Sequence, residues 1–291
     1  MGEANERIGF IGAGMMGSGM CRNLMEAGYA VAVIANRNRA PIDALIADGA
    51  TEAPTLAALA QRSDVIMICV NSADTVIDLT DRLRPHLRAG MLLIDITTSK
   101  PDVTRRIADD LATREIGFVD APVVGGPAQA ASGDLGSFLG GTDLDVARAE
   151  PLIATYSADI AHFGAAGQGH TVKLLNNFLT VGLRQLVVQS IQAARRHDVD
   201  LAQFLRLAQK GAAGSRILEQ FGACALDGDY TRNKFSIGNC RKDMAYAGDL
   251  LSGDDDAMAL QQALLGAYER LVAAGHGDRL ASEMLDPKLS S

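Results

Sequence analysis

The stretch "IGFIGAGMMGSGM", Ile8 to Met20, runs from a short apolar segment through spaced glycines into a helical pattern. Gly12, Gly14 and Gly17 follow the segment directly, with Met15 and Met16 between the last two. In a strand–turn–helix, the first glycine permits the tight turn, the second lets a pyrophosphate approach the backbone, and the third lets the helix pack closely. The helix start adds unpaired N–H groups and the positive end of the helix dipole. This spacing predicts a dinucleotide-binding turn with Gly12, Gly14, Met15, Met16 and Gly17 as cofactor contacts. A glycine-rich turn kept for packing alone is the plain alternative.

Further along, "AVAVIAN" (30–36), "DVIMICV" (64–70), "MLLIDIT" (91–97) and "GFVDAPVV" (117–124) alternate with helical patterns, one of them opened by Pro101. Strands alternating with helices predict a mostly parallel, doubly wound sheet of the Rossmann type. Two more short strands, near residues 136–139 and 159–163, are expected to extend that sheet. After Gly169 the strand signals stop, and an all-helical domain is expected to about Ala281, broken at "GAAGS", "LDGDY" and "LSGDDD". Small residues gather in "FGAAGQG", Phe163 to Gly169, so the expected domains are 1–166, binding dinucleotide, and 167–291, for substrate and subunit contact.

An NAD-preferring site places an acid at the end of the second strand for the ribose 2′-hydroxyl. Here Asn36 stands there, followed by Arg37, with Arg39 close by. Two arginines without a repelling carboxylate favour a 2′-phosphate, hence NADP(H), with NAD(H) possible. The alternative is a pair of solvated loop arginines.

"GQGHTVKLLNNF", Gly167 to Phe178, sets Lys173 and Asn177 one turn apart on one helix face, where both can act on one small molecule. The apolar residues around them predict a helix buried on nearly all sides, a costly place for an ammonium without a task. A lysine snorkelling to water is the ordinary alternative. His170, one turn earlier, receives no role beyond a place near the helix start.

Several function classes are excluded by composition. A net charge of −8 argues against nucleic acid as partner. Apolar runs stay shorter than the ~18 residues of a membrane span, and the first residues lack a signal-peptide pattern, so a cytoplasmic location is expected. Cys21, Cys69, Cys224 and Cys240 show no CxxC and the histidines no HxxxH, so no metal site is expected.

On four stretches the chain resembles the β-hydroxyacid dehydrogenases along nearly its full length. "GFIGAGMMGSGMCRNL" looks like that family's cofactor motif, "DAPVVGG" (120–126) its substrate motif, "GQGHTVKLLNN" its catalytic motif, and "FSIGNCRKDMAYA" its C-terminal cofactor motif. The resemblance implies Lys173 as catalytic residue and Asn177 as its substrate-binding companion. It also implies substrate contacts at Asp120, Val124, Gly125 and Gly126, and cofactor contacts at Thr98, Phe235 and Lys242, with Asp243 nearby. The two glycines would offer backbone N–H groups to an anionic substrate group, and a cationic Lys242 would help lower the pKa of Lys173. The family pattern reads Asp-Ala-Pro-Val-Ser-Gly-Gly, and Val124 occupies the serine position, replacing a donor with a branched hydrocarbon. The implied reaction is hydride transfer between nicotinamide and a small aldehyde, semialdehyde or hydroxy acid. The apolar helix around Lys173 leads us to expect a homodimer or homotetramer. The rivals are an imine reductase on the same architecture and a cofactor-binding scaffold that has lost catalysis.

Overall fold

The computed structural model describes residues 6–36 and 38–289, and the chain divides into two compact units, Met1–Lys173 and Leu174–Ser291. The first unit is built on a six-stranded sheet: β1 (Arg7–Ile11), β2 (Ala30–Val33), β3 (Thr51–Glu52), β4 (Val65–Ile68), β5 (Leu92–Asp95) and β6 (Gly117–Asp120). Its order is β3-β2-β1-β4-β5-β6 and every pair is parallel, with Ile8 opposite both Val31 and Val65. That is the doubly wound Rossmann order, and all strands end on one edge. β4 and β5 are buried along their whole length, as strands covered on both faces must be. β3 is two residues long and lacks an apolar run, so the sequence carries no signal for it.

The helices of this unit are α1 (Gly17–Glu26), α2 (Ala40–Ala47), α3 (Leu56–Arg62), α4 (Ala73–Leu83), α5 (Pro101–Ala112), α6 (Pro127–Ser132) and α7 (Asp143–Ile153). Thr55, Ser72 and Thr142 each accept a backbone N–H at the starts of α3, α4 and α7, a cap that contributes about 1 kcal/mol. Pro lies in the first turn of α2, α5 and α6, where its missing N–H costs nothing. α1 has neither device.

The later strands do not extend the parallel sheet. β7 (Val123–Val124), β8 (Leu135–Leu139) and β9 (Ser157–His162) form a separate three-stranded sheet, β7 antiparallel and β9 parallel to β8. "GFVDAPVV" is therefore two strands. Pro122 has no N–H to continue a ladder, and Asp120 exchanges backbone bonds with Gly140 at 3.0 and 2.9 Å.

α8 (Gln168–Arg196) leaves the first unit and enters the second, which also holds α9 (Leu201–Lys210), α10 (Arg216–Asp227), α11 (Ile237–Leu251) and α12 (Asp255–Ala273). Val181, Val188, Ile191, Phe221, Ile237, Met244 and Tyr268 form its core. Inside it, Tyr268 donates to the Val181 carbonyl at 2.9 Å. Two expectations are corrected. The helices also break at His197–Asp200, where Asp198 takes a positive φ of 51° and Asp200 caps α9. And α8 is not buried all round: Leu175, Leu179 and Leu186 are 43%, 71% and 62% exposed along one stripe. Among the described residues no helix is long and apolar enough to cross a membrane.

Candidate active site

The carboxyl edge of the parallel sheet gathers most of the first unit's candidate residues. Gly12 follows β1 with φ +98°, and a Cβ there would fall on the Cys69 carbonyl at the end of β4. The turn is thus pressed against the neighbouring strand, a position open to glycine alone. At Gly17 a Cβ would collide with the Gly12 carbonyl and the Phe10 ring, whereas Gly14 faces open space. Met15 is exposed and Met16 half-buried, and α1 begins with no side-chain cap and no acid in its first turn. An open turn below uncapped N–H groups fits a dinucleotide pyrophosphate.

At the ribose end, Asn36 is exposed and Arg37 lies outside the described residues. Arg39 is not the free cation expected of an arginine pair. It makes a two-pronged bond to Glu52, 2.8 Å in each prong, and lies 2.9 Å from Asp43. The Glu52 bond raises the pKa of Arg39 and lowers that of Glu52. Asp43, one helical turn on, and Glu52, brought in by β3, therefore neutralise it.

Asp120 ends β6, fully buried, and both oxygens are engaged: Oδ1 accepts the Gly167 N–H and Oδ2 the His170 N–H, each at 2.7 Å. These are the donors at the residue before α8 and at its third position, the two that a local capping box would satisfy. One carboxylate 47 and 50 residues away does both jobs. Asp120, expected as a substrate contact, thus has both carboxylate oxygens engaged in anchoring the helix that carries Lys173. A Cβ at Gly169 would run into the Phe138 carbonyl and Asp120, so the glycine lets the helix start press onto the strand ends.

Beside it Asp95, 1% exposed at the end of β5, accepts the Thr97 N–H at 2.9 Å, and burial pushes its carboxyl pKa up. Thr97 Oγ1 accepts the Val70 N–H at 3.1 Å, which ties the ends of β4 and β5 together. Thr98 and Lys173 are half-buried. In the substrate motif Val124 is half-buried opposite Gly136, and Gly125 takes φ +123°. The Gly126 N–H is not open to an anion as expected, because it donates to Gln129 Oε1 at 3.0 Å.

In the second unit, Asn177 (5% exposed) donates to Asp243 Oδ2 at 2.6 Å, and Lys242 Nζ lies 2.9 Å from Asp243 Oδ1. Lys242 is thus a neutralised partner, not the bare cation expected to act on Lys173, and its ammonium also lies 5.2 Å from the Tyr246 ring centre. Phe235 is half-buried under the Arg184 guanidinium, 5.0 Å from its ring centre. Asp95, Thr97, Thr104 and His170 were missed as a cluster. Only an acid closing an apolar strand, Asp95 in "LLID", hinted at it.

Fold and glycine turn together define a dinucleotide-binding protein of the Rossmann class. Residues 7–164 match the NAD-binding domain of 6-phosphogluconate dehydrogenase, and residues 167–287 the NAD-binding domain of NADP-dependent 3-hydroxyisobutyrate dehydrogenase. The chain belongs to the β-hydroxyacid dehydrogenase family, NAD(P)-dependent dehydrogenases and reductases acting on CH–OH groups. It is 33% identical over 285 residues to a probable 3-hydroxyisobutyrate dehydrogenase-like protein 1, mitochondrial, of Arabidopsis thaliana, covering 94% of this chain and 83% of that one. Its fold matches Mycobacterium tuberculosis 3-hydroxyisobutyrate dehydrogenase with L-serine (TM-score 0.85, 22% identity, 96% of this chain and 98% of that one). A more distant fold match is Streptomyces aurantiacus imine reductase (TM-score 0.65, 20% identity, 98% and 99% of the two chains).

Proposed function

We infer that this chain interconverts a small aldehyde or semialdehyde with the corresponding hydroxy acid, favouring NADP(H) over NAD(H), with Lys173 as general acid/base. The observation that carries the reading is the place of Lys173. It sits one turn into a helix whose start Asp120 fixes at the carboxyl edge of the parallel sheet, the edge where this fold binds ligands. When bound, the nicotinamide exchanges hydride with the substrate carbon. In reduction Lys173 Nζ gives its proton to the developing alkoxide oxygen; in oxidation it takes the proton from the alcohol. Asn177, its amide oriented by Asp243, binds the substrate oxygen, and the backbone at Gly125 faces the substrate's remaining group.

Residues 1–166 are assigned to the cofactor, with Gly12 to Gly17, Asn36, Arg37 and Thr98 as its contacts. Residues 167–291 are assigned to substrate, subunit contact and the remaining cofactor contacts Phe235 and Lys242. The exposed leucine stripe of α8 supports a homodimer or homotetramer. The NADP(H) preference rests on Asn36 in place of the acid and on Arg37. The imine-reductase alternative draws on fold likeness alone, whereas a lysine at position 173 suits carbonyl–alcohol chemistry.

Purified protein assayed with NADPH and NADH against small aldehydes, semialdehydes and keto acids tests the reading. Lys173→Ala should lower turnover by about 10²-fold or more while NADPH affinity stays within a few fold. Retained turnover would remove Lys173 from the mechanism.

A further inference from the structure

His170 is fully buried and every polar group it owns near the helix start is engaged. Besides its backbone bond to Asp120, ring Nε2 lies 2.7 Å from the Thr97 carbonyl and Nδ1 2.7 Å from Thr104 Oγ1. A carbonyl oxygen can only accept, so the ring carries a proton on Nε2 and donates it to Thr97. The Thr104 hydroxyl has one proton and two neighbours, Nδ1 at 2.7 Å and the Lys100 carbonyl at 3.1 Å. Thr104 Oγ1 therefore links Nδ1 to the Lys100 carbonyl in one short chain of hydrogen bonds. The carboxylates facing the ring, Asp120 at 3.6 Å and Asp95 at 3.9 Å, are charge neighbours rather than hydrogen-bond partners.

An imidazole buried this deeply costs stability unless both nitrogens are satisfied. Here they are satisfied by two different segments, the turn after β5 and the first turn of α5, while its backbone is held by the end of β6. A residue placed merely to begin a helix needs none of this.

We propose that His170 is a positioning residue for the reaction: a strut that locks the first turn of α8 to the Thr97–Thr98 turn and to α5, so that Lys173, one turn further on, is held against the segment that contacts the cofactor. The proposal rests on the reading of Lys173 as acid/base. Displacements near 1 Å at a reacting group cost about 10²-fold in rate, so the strut acts on turnover and not on cofactor affinity.

The test compares His170→Leu, His170→Gln and Lys173→Ala in the full-length protein, using NADPH and the best aldehyde from the substrate panel. His170→Leu removes both ring bonds. Turnover should fall about ten- to a hundredfold, with NADPH affinity within about threefold and a larger primary isotope effect from 4-deuterated NADPH, since chemistry becomes slower relative to release. Glutamine can donate to the Thr97 carbonyl and accept from Thr104, so His170→Gln should recover turnover to within about threefold of the parent. Unchanged turnover in His170→Leu, or a glutamine variant as poor as the leucine one, overturns the strut while leaving Lys173 in place. If Lys173→Ala keeps turnover, the underlying reading fails and the strut with it. Should His170→Leu fail to fold, Thr104→Val decides, because it removes the hydroxyl that meets Nδ1 while keeping the volume and leaving the ring bond to Thr97 intact. A three- to tenfold turnover loss of roughly one hydrogen bond's worth supports the proposal, and unchanged turnover overturns it.

Discussion

The Asn177 side-chain amide donates to Asp243 at 2.6 Å, and the same carboxylate holds Lys242 at 2.9 Å, so one buried acid fixes an amide and balances an ammonium. Their side chains are nearly closed to water, 2% exposed for Asp243 and 16% for Lys242. Removing one partner of a buried pair leaves the other charge uncompensated, at about 3 to 5 kcal/mol. Asp243→Ala should therefore lower unfolding free energy by about 3 kcal/mol in urea and also reduce kcat/KM, as Asn177 loses its orienting partner. A loss below about 1 kcal/mol would mean that Lys242 finds water once the acid is gone.

Arg37 and Arg39 should behave differently despite lying two residues apart. Arg37→Ala should weaken NADP(H) by roughly 1.5 to 3 kcal/mol, the worth of a charge-assisted contact, and leave NAD(H) nearly unchanged. Arg39 is already held by Glu52 and Asp43, so Arg39→Ala should shift the binding of either cofactor by less than about threefold. Titrating both cofactors against both variants checks this, and equal effects at the two positions would contradict it.

Val124 presents hydrocarbon where the family pattern has a hydroxyl, and its Cγ2 packs over Gly136, where a Cβ would come within 2.8 Å. Val124→Ser should impair the best substrate of the panel, because the new hydroxyl would be half-buried without a partner. The contrary outcome is a gain of up to about tenfold in kcat/KM on short hydroxy acids without loss on uncharged alcohols. That result would show that the site holds a carboxylate and lacks one donor.

Acid stability should depend on Asp64. Bonds from Arg7 at 2.9 and 2.8 Å and from Arg88 at 2.7 Å hold its carboxyl pKa down to about 2. A depressed folded pKa means that its contribution is present above the unfolded value, about 4, and is lost as pH falls through about 2. Asp64→Asn should cost no more than about 1 kcal/mol at pH 7, since the pair is partly exposed, and the difference from the parent should vanish near pH 2. Thermal melts of both proteins from pH 7 to 2 measure it; a gap that widens on acidification would reverse the sign.

Local chemistry was enough for the parallel sheet and its dinucleotide turn. A glycine that must turn tightly, a strand buried on both faces and a proline opening a helix each leave a mark within a few residues, so Gly12, "DVIMICV" and Pro101 were legible. The placement of Lys173 and Asn177 one helical turn apart was legible for the same reason. The corrections lie where the folded geometry chooses a polar group's partner, near or far along the chain. Glu52 neutralises Arg39, Gln129 takes the Gly126 N–H, and Asp243 balances Lys242 by pairs that local periodicity does not encode. β7 to β9 left the main sheet because Pro122 stops one ladder and Gly140 starts another. The helix that carries Lys173 is capped by Asp120 from 50 residues away and braced by His170 on Thr97 and Thr104. Sequence periodicity determined most of the strands and helices, and motif resemblance supplied the residues proposed for the chemistry. Only the tertiary structure decided which polar groups remain available, because each buried donor and acceptor takes the nearest partner in space, whatever its distance along the chain.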